Sequence, residues 1–511
     1  MPAVDVVNVL FCLGLLTAVS YLVNTTRSRK LPLPPIPNRL PIIGSVLSIP
    51  KHTAWKTYAE WSRRENSTPP FLIALASSFG KLSIVVNTKK AAKELYEGRS
   101  SVYADRPHLA MNTLTGWDFA TAFTPYSDEW RAQRKIFHQS LNARAAPVHQ
   151  QVQLEKVEFL IKCLYEDPLG FARHMRRYAA SVTLLIAYGY DIKPNDDHFV
   201  EVAENAMKMI STTLTPVGIA VNTIPALRHL PDWFPGASFK TRAKECVALV
   251  TEMQNAPFAY VKRSMAEGTA RPSVASSQIE LNDARAGGIQ GEKDIKPGAD
   301  TTVSAFLTGV LALVLHPDVQ QRARAELDHA VGRGRLPTFE DRPLLPYVTA
   351  ICREILRWQV VFPMSFAHSS TEDDLYAGMF IPKGTPIILN AWAMLHNPED
   401  YPDPESFKPD RFLTPDGTLN KDEVQVAFGL GRRNCVGMHM ANATLWIMMA
   451  SLLATFDISK AKDEHGNEIP VDLAYTDTLV STPLPFRCSI RPRDREAEEL
   501  IQQIASGHTQ I

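Results

Sequence analysis

Cys435 stands inside AFGLGRRNCVGMHMA, residues Ala427 to Ala441, between glycines at 429, 431 and 437 and the start of an apolar helical run. No other feature narrows the choice of fold so far. The glycines permit a tight turn and let a bulky partner come close to the backbone. The mouth of the helix expected over Met438–Phe456 offers free amide hydrogens and the positive end of a helix dipole, both of which favour a thiolate. Arg433, two residues before the cysteine, can reach a carboxylate on the partner's rim. An iron porphyrin can take a thiolate as a ligand to its iron and carries propionates at its edge, so it meets each of these demands.

The rest of the chain suits a fold of that size. Its 511 residues can bury a large core, and 45% hydrophobic with 21% charged residues describes an ordinary globular protein. Lys+Arg and Asp+Glu balance at 54 each, so the basic stripe of a nucleic-acid binder is missing. The six cysteines show no CxxC pair and no regular spacing, which fits a reducing compartment and leaves Cys435 available as a ligand. The other five are read as small buried hydrophobes.

At the amino end, Val6–Val23 is an apolar run of about the length that spans a bilayer, followed by Arg27, Arg29 and Lys30. Charge after the run places the downstream chain in the cytosol. The segment LPLPPIPNRLPIIG then reads as a stiff extended spacer. The expected organisation is an anchor over 1–26, a basic, Pro-rich hinge over 27–41, a single catalytic domain over 42–495 and a solvated tail over 496–511. Periodic apolar spacing predicts helices over 53–64, 127–141, 152–165, 199–213, 239–266, 301–315, 319–331, 345–358 and 438–456, with short strands at LSIVVN and TPIILNA. The stretch 271–296 is expected to be the least structured interior region. The fold class is therefore mainly α with a minor β region.

Phe428-x-x-Gly431-x-Arg433-x-Cys435-x-Gly437 resembles, without gaps, the cysteine loop of the cytochrome P450 family. Three further motifs agree in order. REILR carries Glu354 and Arg357 three apart, hence on one helical face. FKPDRF supplies Arg411, which the resemblance places in a buried Glu-Arg-Arg network, with Asp410 where relatives carry glutamate. EWRAQR carries Trp130 and Arg134, which match the family's helix that bonds a haem propionate. His368, in PMSFAH, looks like a second propionate donor. The resemblance covers nearly the whole chain and is strongest to fungal microsomal members, including those that oxidise polycyclic secondary metabolites.

It implies the cytochrome P450 fold with an N-terminal transmembrane helix, and haem b ligated by Cys435. It also implies electrons from NADPH through a flavin-containing, membrane-bound NADPH–cytochrome P450 reductase, for which Arg131, Lys135 and Arg432 are candidate docking residues. The expected location is the endoplasmic reticulum membrane, with the catalytic domain cytosolic. PGADTT aligns Asp300 and Thr301 with the acid–alcohol pair that delivers protons on the oxygen-binding side. The pattern breaks just upstream. Pro297 stands where relatives usually carry roughly two more helical turns, so the helix should start near Pro297, and Asp300 can equally be a first-turn acid favoured by the dipole.

Met111, Leu114, Trp117, Phe119, Val361, Phe362, Phe366 and Leu479 are candidate pocket residues for a hydrophobic small-molecule substrate. The expected activity is insertion of one oxygen atom from O2 into an aromatic or terpenoid molecule. Two rival readings fit the same motifs: a haem-thiolate isomerase or dehydratase, and a haem-binding remnant with a truncated distal helix.

Overall fold

The computed structural model describes residues 32–36, 48–50, 52–64, 72–76, 82–210, 216–284 and 301–507. The expected anchor, most of the hinge, Pro297 and Asp300 lie outside these residues. Among the described residues no single helix is long and apolar enough to cross a membrane. The chain forms two compact units, each threaded from separate stretches: 1–107, 362–400 and 428–434 in one, 108–361, 401–427 and 435–511 in the other.

The smaller unit is organised by a four-stranded sheet in the order β1 (Leu72–Ala76), β2 (Leu82–Val86), β6 (Pro386–Leu389), β3 (His368–Ser369). β1 and β2 form an antiparallel hairpin, β2 and β6 run parallel with Ile84 opposite Ile387, and β3 returns antiparallel with His368 opposite Ile387. Ile84, Val85, Val86, Ile387 and Leu389 are buried, as expected for β-branched and aliphatic residues in a covered sheet. A second pair, β4 (Asp374–Tyr376) and β5 (Met379–Ile381), forms a separate antiparallel ribbon. Helix α1 (Ala54–Arg64) turns Tyr58 and Ala59 inward, and Tyr58 joins Val85 in a small core.

The larger unit is helical. Its main helices are α2 (Asp128–Leu141), α3 (Gln150–Glu166), α4 (Phe171–Tyr188), α5 (His198–Ile210), α6 (Phe239–Ala266), α7 (Thr302–Leu315), α8 (Pro317–Ala330), α9 (Pro346–Trp358), α10 (Met438–Thr455) and α11 (Arg495–Ala505). The antiparallel ribbon β7 (Phe456–Lys460) and β8 (Cys488–Pro492) completes it. α7 is buried on every side from Val303 to Val314, which explains its uniformly apolar sequence. It packs closely against α9 and α10 at Gly309, where an added Cβ would lie 2.7 Å from Met449 Sδ and 3.2 Å from Ile355 Cδ1. Local signals set the helix starts. Ser127 caps α2 by accepting from the Trp130 N–H, and prolines open α8 and α9.

Three expectations change. The helix α4 was not foreseen, and Val274–Ala284 is helical inside the stretch read as unstructured. The stretch read as a solvated tail instead forms α11, capped by Asp494, with Ala497, Leu500, Ile501 and Ile504 buried against α3, α10 and β8. Those four residues follow helical spacing, so the apolar stripe was present among the charges.

α9 is tied to the loop at 402–411 by a buried carboxylate. Glu354, fully buried, accepts from Arg357 Nε at 2.6 Å and Nη2 at 2.9 Å, from Arg411 Nε at 3.1 Å and from the Lys408 N–H at 2.7 Å. The remaining guanidinium hydrogens of both arginines go to the carbonyls of Pro402, Asp403, Pro404 and Ser406. The exposed Asp410 stands outside this network and pairs with Arg322. Removing the shared carboxylate strands two buried cations. Glu354→Ala is expected to cost about 3–5 kcal/mol, whereas Lys408→Ala, which breaks an exposed pair with Asp403, should cost at most about 1 kcal/mol. Urea unfolding of the two variants checks the contrast.

Candidate active site

In the larger unit, Cys435 lies just before α10. Its side chain is exposed by surface area yet ringed by protein atoms. Burial pushes the thiol pKa up, while the Gly437 N–H donating to sulfur and the Arg134 charge pull it down. Arg134, on α2, is in turn held below its usual pKa by burial, and the cysteine opposes that shift. Two stabilisers of a thiolate, a backbone donor and a cation, therefore act on this sulfur. Trp130, one turn before Arg134, is 5% exposed and packs its ring 5.1 Å from Tyr126. Thr301 is the residue before α7, in helical conformation at φ −76° and ψ −25° with no side-chain cap.

In the smaller unit, three basic side chains converge. His368 on β3 is buried; its Nδ1 donates to the Tyr103 carbonyl at 2.7 Å, and its ring lies 4.4 Å from the Tyr96 ring. A carbonyl can only accept, so Nδ1 carries the hydrogen. Burial, then Arg106 and Arg433, hold the His368 pKa well below its usual value, so the ring is neutral and its other nitrogen is an acceptor. Arg106 is 8% exposed and donates from Nη1 to the carbonyls of Phe366 and Ala367 at 2.9 Å each. Burial and the neighbouring Arg433 charge lower its pKa to about 9, and its Nε is buried without an acceptor. Arg433 donates from Nε to the Ala104 carbonyl.

Buried like charges are costly, and an orphaned guanidinium N–H adds to that cost. An anionic group at this point would offset both. The donor set fits a carboxylate-edged cofactor. Arg106 escaped the sequence reading because it sits in an unremarkable loop and its partners lie 260 residues or more away. The pairing of YADRP with PMSFAH has no local signal.

The loop that carries Phe428 and Arg433 is shaped by backbone. Phe428 is partly buried at the end of a 3₁₀ turn, Gln425–Phe428. Gly431 adopts φ +69°, and an added Cβ would fall 1.9 Å from the Tyr96 carbonyl oxygen. Tyr96 is held on a π-turn, Glu94–Gly98, with its hydroxyl donating to the Ile387 carbonyl at 3.0 Å.

The cytochrome P450 family model matches residues 34–487. Cytochrome P450 monooxygenase 98 of Postia placenta is 38% identical over 97% of this chain and 97% of that one. This chain belongs to the cytochrome P450 family. Similarity of the same order extends to cytochrome P450 monooxygenase ple1 of Rhodocybe pseudopiperita, 38% identical over 95% of this chain and 94% of that one. Tryptamine 4-monooxygenase of Psilocybe cyanescens is 34% identical over 93% and 96%. The protein is thus a P450 monooxygenase by family, an oxidoreductase, and the family implies haem b with a cysteine thiolate ligand.

The residues named as pocket candidates divide in this P450. Met111 is buried with Ala110, Val221, Ala237 and Phe239, and Leu114 packs on that cluster. Trp117 is buried with Ala206, Ile210, Cys246 and Val250, and Phe119 packs beside it. These four pack in apolar clusters. Phe362 and Phe366 are partly buried, their rings 5.1 Å apart, and Val361 and Leu479 are also partly buried.

Gly431→Ala combines a left-handed backbone with a collision against main chain that cannot rotate away. The substitution is expected to cost about 2 kcal/mol or more and to lower haem retention, read as the haem-to-protein absorbance ratio after purification beside wild type.

Proposed function

We propose that this P450 is a haem-thiolate monooxygenase that inserts one atom of O2 into a hydrophobic small molecule of secondary-metabolite type, with electrons from NADPH delivered by a membrane-bound reductase. The observation that carries the reading is the Cys435 thiol held between the Gly437 N–H and the Arg134 charge. When bound, the haem supplies an iron whose thiolate ligand favours cleavage of the O–O bond.

Cys435 would supply the thiolate that holds the iron. By resemblance to the family, Arg433, Trp130, Arg134 and His368 are the residues that would hold the propionates, and Arg106 is a further donor beside Arg433 and His368. Gly431 and Gly437 would let the loop come close to the cofactor, and Phe428 would stand at the loop's start. Glu354, Arg357 and Arg411 hold the supporting frame and touch no reacting atom. Asp300 and Thr301 would pass protons from solvent, the threonine hydroxyl holding a water and the carboxylate exchanging with bulk. Phe362 and Phe366 are the aromatic residues best suited to an apolar substrate. The apolar run Val6–Val23 would anchor the chain in the endoplasmic reticulum membrane with the catalytic portion in the cytosol.

The carbon monoxide difference spectrum of reduced, full-length protein tests the ligand assignment. Wild type should give the red-shifted thiolate band, and Cys435→Ser should lose it while far-UV circular dichroism stays unchanged. A thiolate band surviving in the serine variant would overturn the reading. For the proton path, Thr301→Ala should keep NADPH consumption with reductase present but release hydrogen peroxide in place of product. Product formed per NADPH should fall about tenfold or more. Equal coupling in both proteins would remove Thr301 from the path, and the absence of any NADPH consumption by wild type would favour an isomerase or dehydratase.

A further inference from the structure

A cavity of about 270 Å³ opens in the larger unit, beside α9 and α10. Arg342 and Arg353 line it together with Gln150, His439, Asn442 and Glu423, and its floor reaches the buried Thr349 and Cys352. Arg342 lies over the Trp446 ring at 5.5 Å, and Arg353 donates to the Asn420 carbonyl at 2.8 Å. Among the described residues neither guanidinium has a carboxylate within ion-pair distance. Exposed Glu423 acts on both at longer range.

We propose that this cavity is a binding site for a small, soluble, phosphate-bearing anion, held by Arg342 and Arg353. The arginine fork matches phosphate oxygens in pairs, and the side-chain amides of Gln150 and Asn442 add neutral donors. Burial lowers the pKa of both arginines, for Arg342 the Arg353 charge lowers it further, and Glu423, with Asp422 at Arg353, offsets this only in part, so a doubly charged ligand between the guanidiniums would compensate the remaining positive charge. The volume sits just under the roughly 300–1,000 Å³ of pockets for drug-sized ligands, which favours a compact molecule.

The experiment is isothermal titration calorimetry of the full-length, haem-loaded protein with inorganic pyrophosphate at fixed ionic strength. One saturable site is expected. Arg342→Gln and Arg353→Gln should each weaken binding about tenfold or more, whereas Arg322→Gln, an exposed arginine on α8 outside the cavity, should leave it unchanged. Should an arginine variant fail to fold, Asn442→Leu should still weaken binding several-fold while keeping the thiolate spectrum. No saturable heat with wild type, or the same affinity in the cavity variants as in wild type, would overturn the proposal.

Discussion

Glu354 offers one carboxylate to two guanidiniums at a depth that water does not reach, and both arginines spend their other hydrogens on carbonyls of a single loop. The pair at Glu354 and Arg357 is an ordinary neighbour pair on one helical face. What makes it structural is Arg411, which arrives from another part of the chain and brings the loop at 402–411 with it. A buried charge pair of this kind has little net effect on stability while intact, because desolvation consumes much of the attraction. Its force is negative: no alternative packing of α9 can leave the charges unpaired. α9 also packs against α7 and α10, so the position of the helix that follows the cysteine depends on the same constraint.

Elsewhere the charge arithmetic runs the other way. Arg106 and Arg433 repel each other, His368 is held neutral first by burial and then by their charges, and a guanidinium N–H of Arg106 goes without an acceptor. A protein carries such an arrangement at a place made for an anion, and the family's cofactor has two. Around Cys435 burial pushes the thiol pKa up, and one backbone donor, the Gly437 N–H, together with the Arg134 charge opposes that shift.

The cysteine loop was legible in the sequence because its chemistry is local: a turn, a thiol, an arginine and a helix start within ten residues. Helical spacing places Glu354 and Arg357 on one face, and it is the resemblance to the family that gives that pair and the Trp130–Arg134 helix their expected roles. Arg106 was not, since the charge that identifies it comes from residues hundreds of positions away. α4 escaped notice because its first half, FARHMRRY, carries three arginines and a histidine that mask an inward face of Phe171, His174, Met175 and Tyr178. α11 escaped because REAEE begins it. The apolar character of Met111 and Trp117 is visible in the sequence, whereas the clusters they join with Phe239 and Val250 are set by distant helices.

The pairing of β2 with β6 has a consequence for synthesis. Next to that pairing, Asn390 donates to Asn87 across 303 residues of chain. At about 5–20 residues per second, a ribosome needs roughly 15 to 60 s to deliver the second strand after the first. For that interval the hairpin of β1 and β2 has an open parallel edge and the wrong neighbours within reach. The helices encoded between the two strands emerge first, so the sheet of the smaller unit closes long after its first segment is made. Any factor that shields the nascent β2 edge would therefore govern yield more than the stability of the finished molecule does.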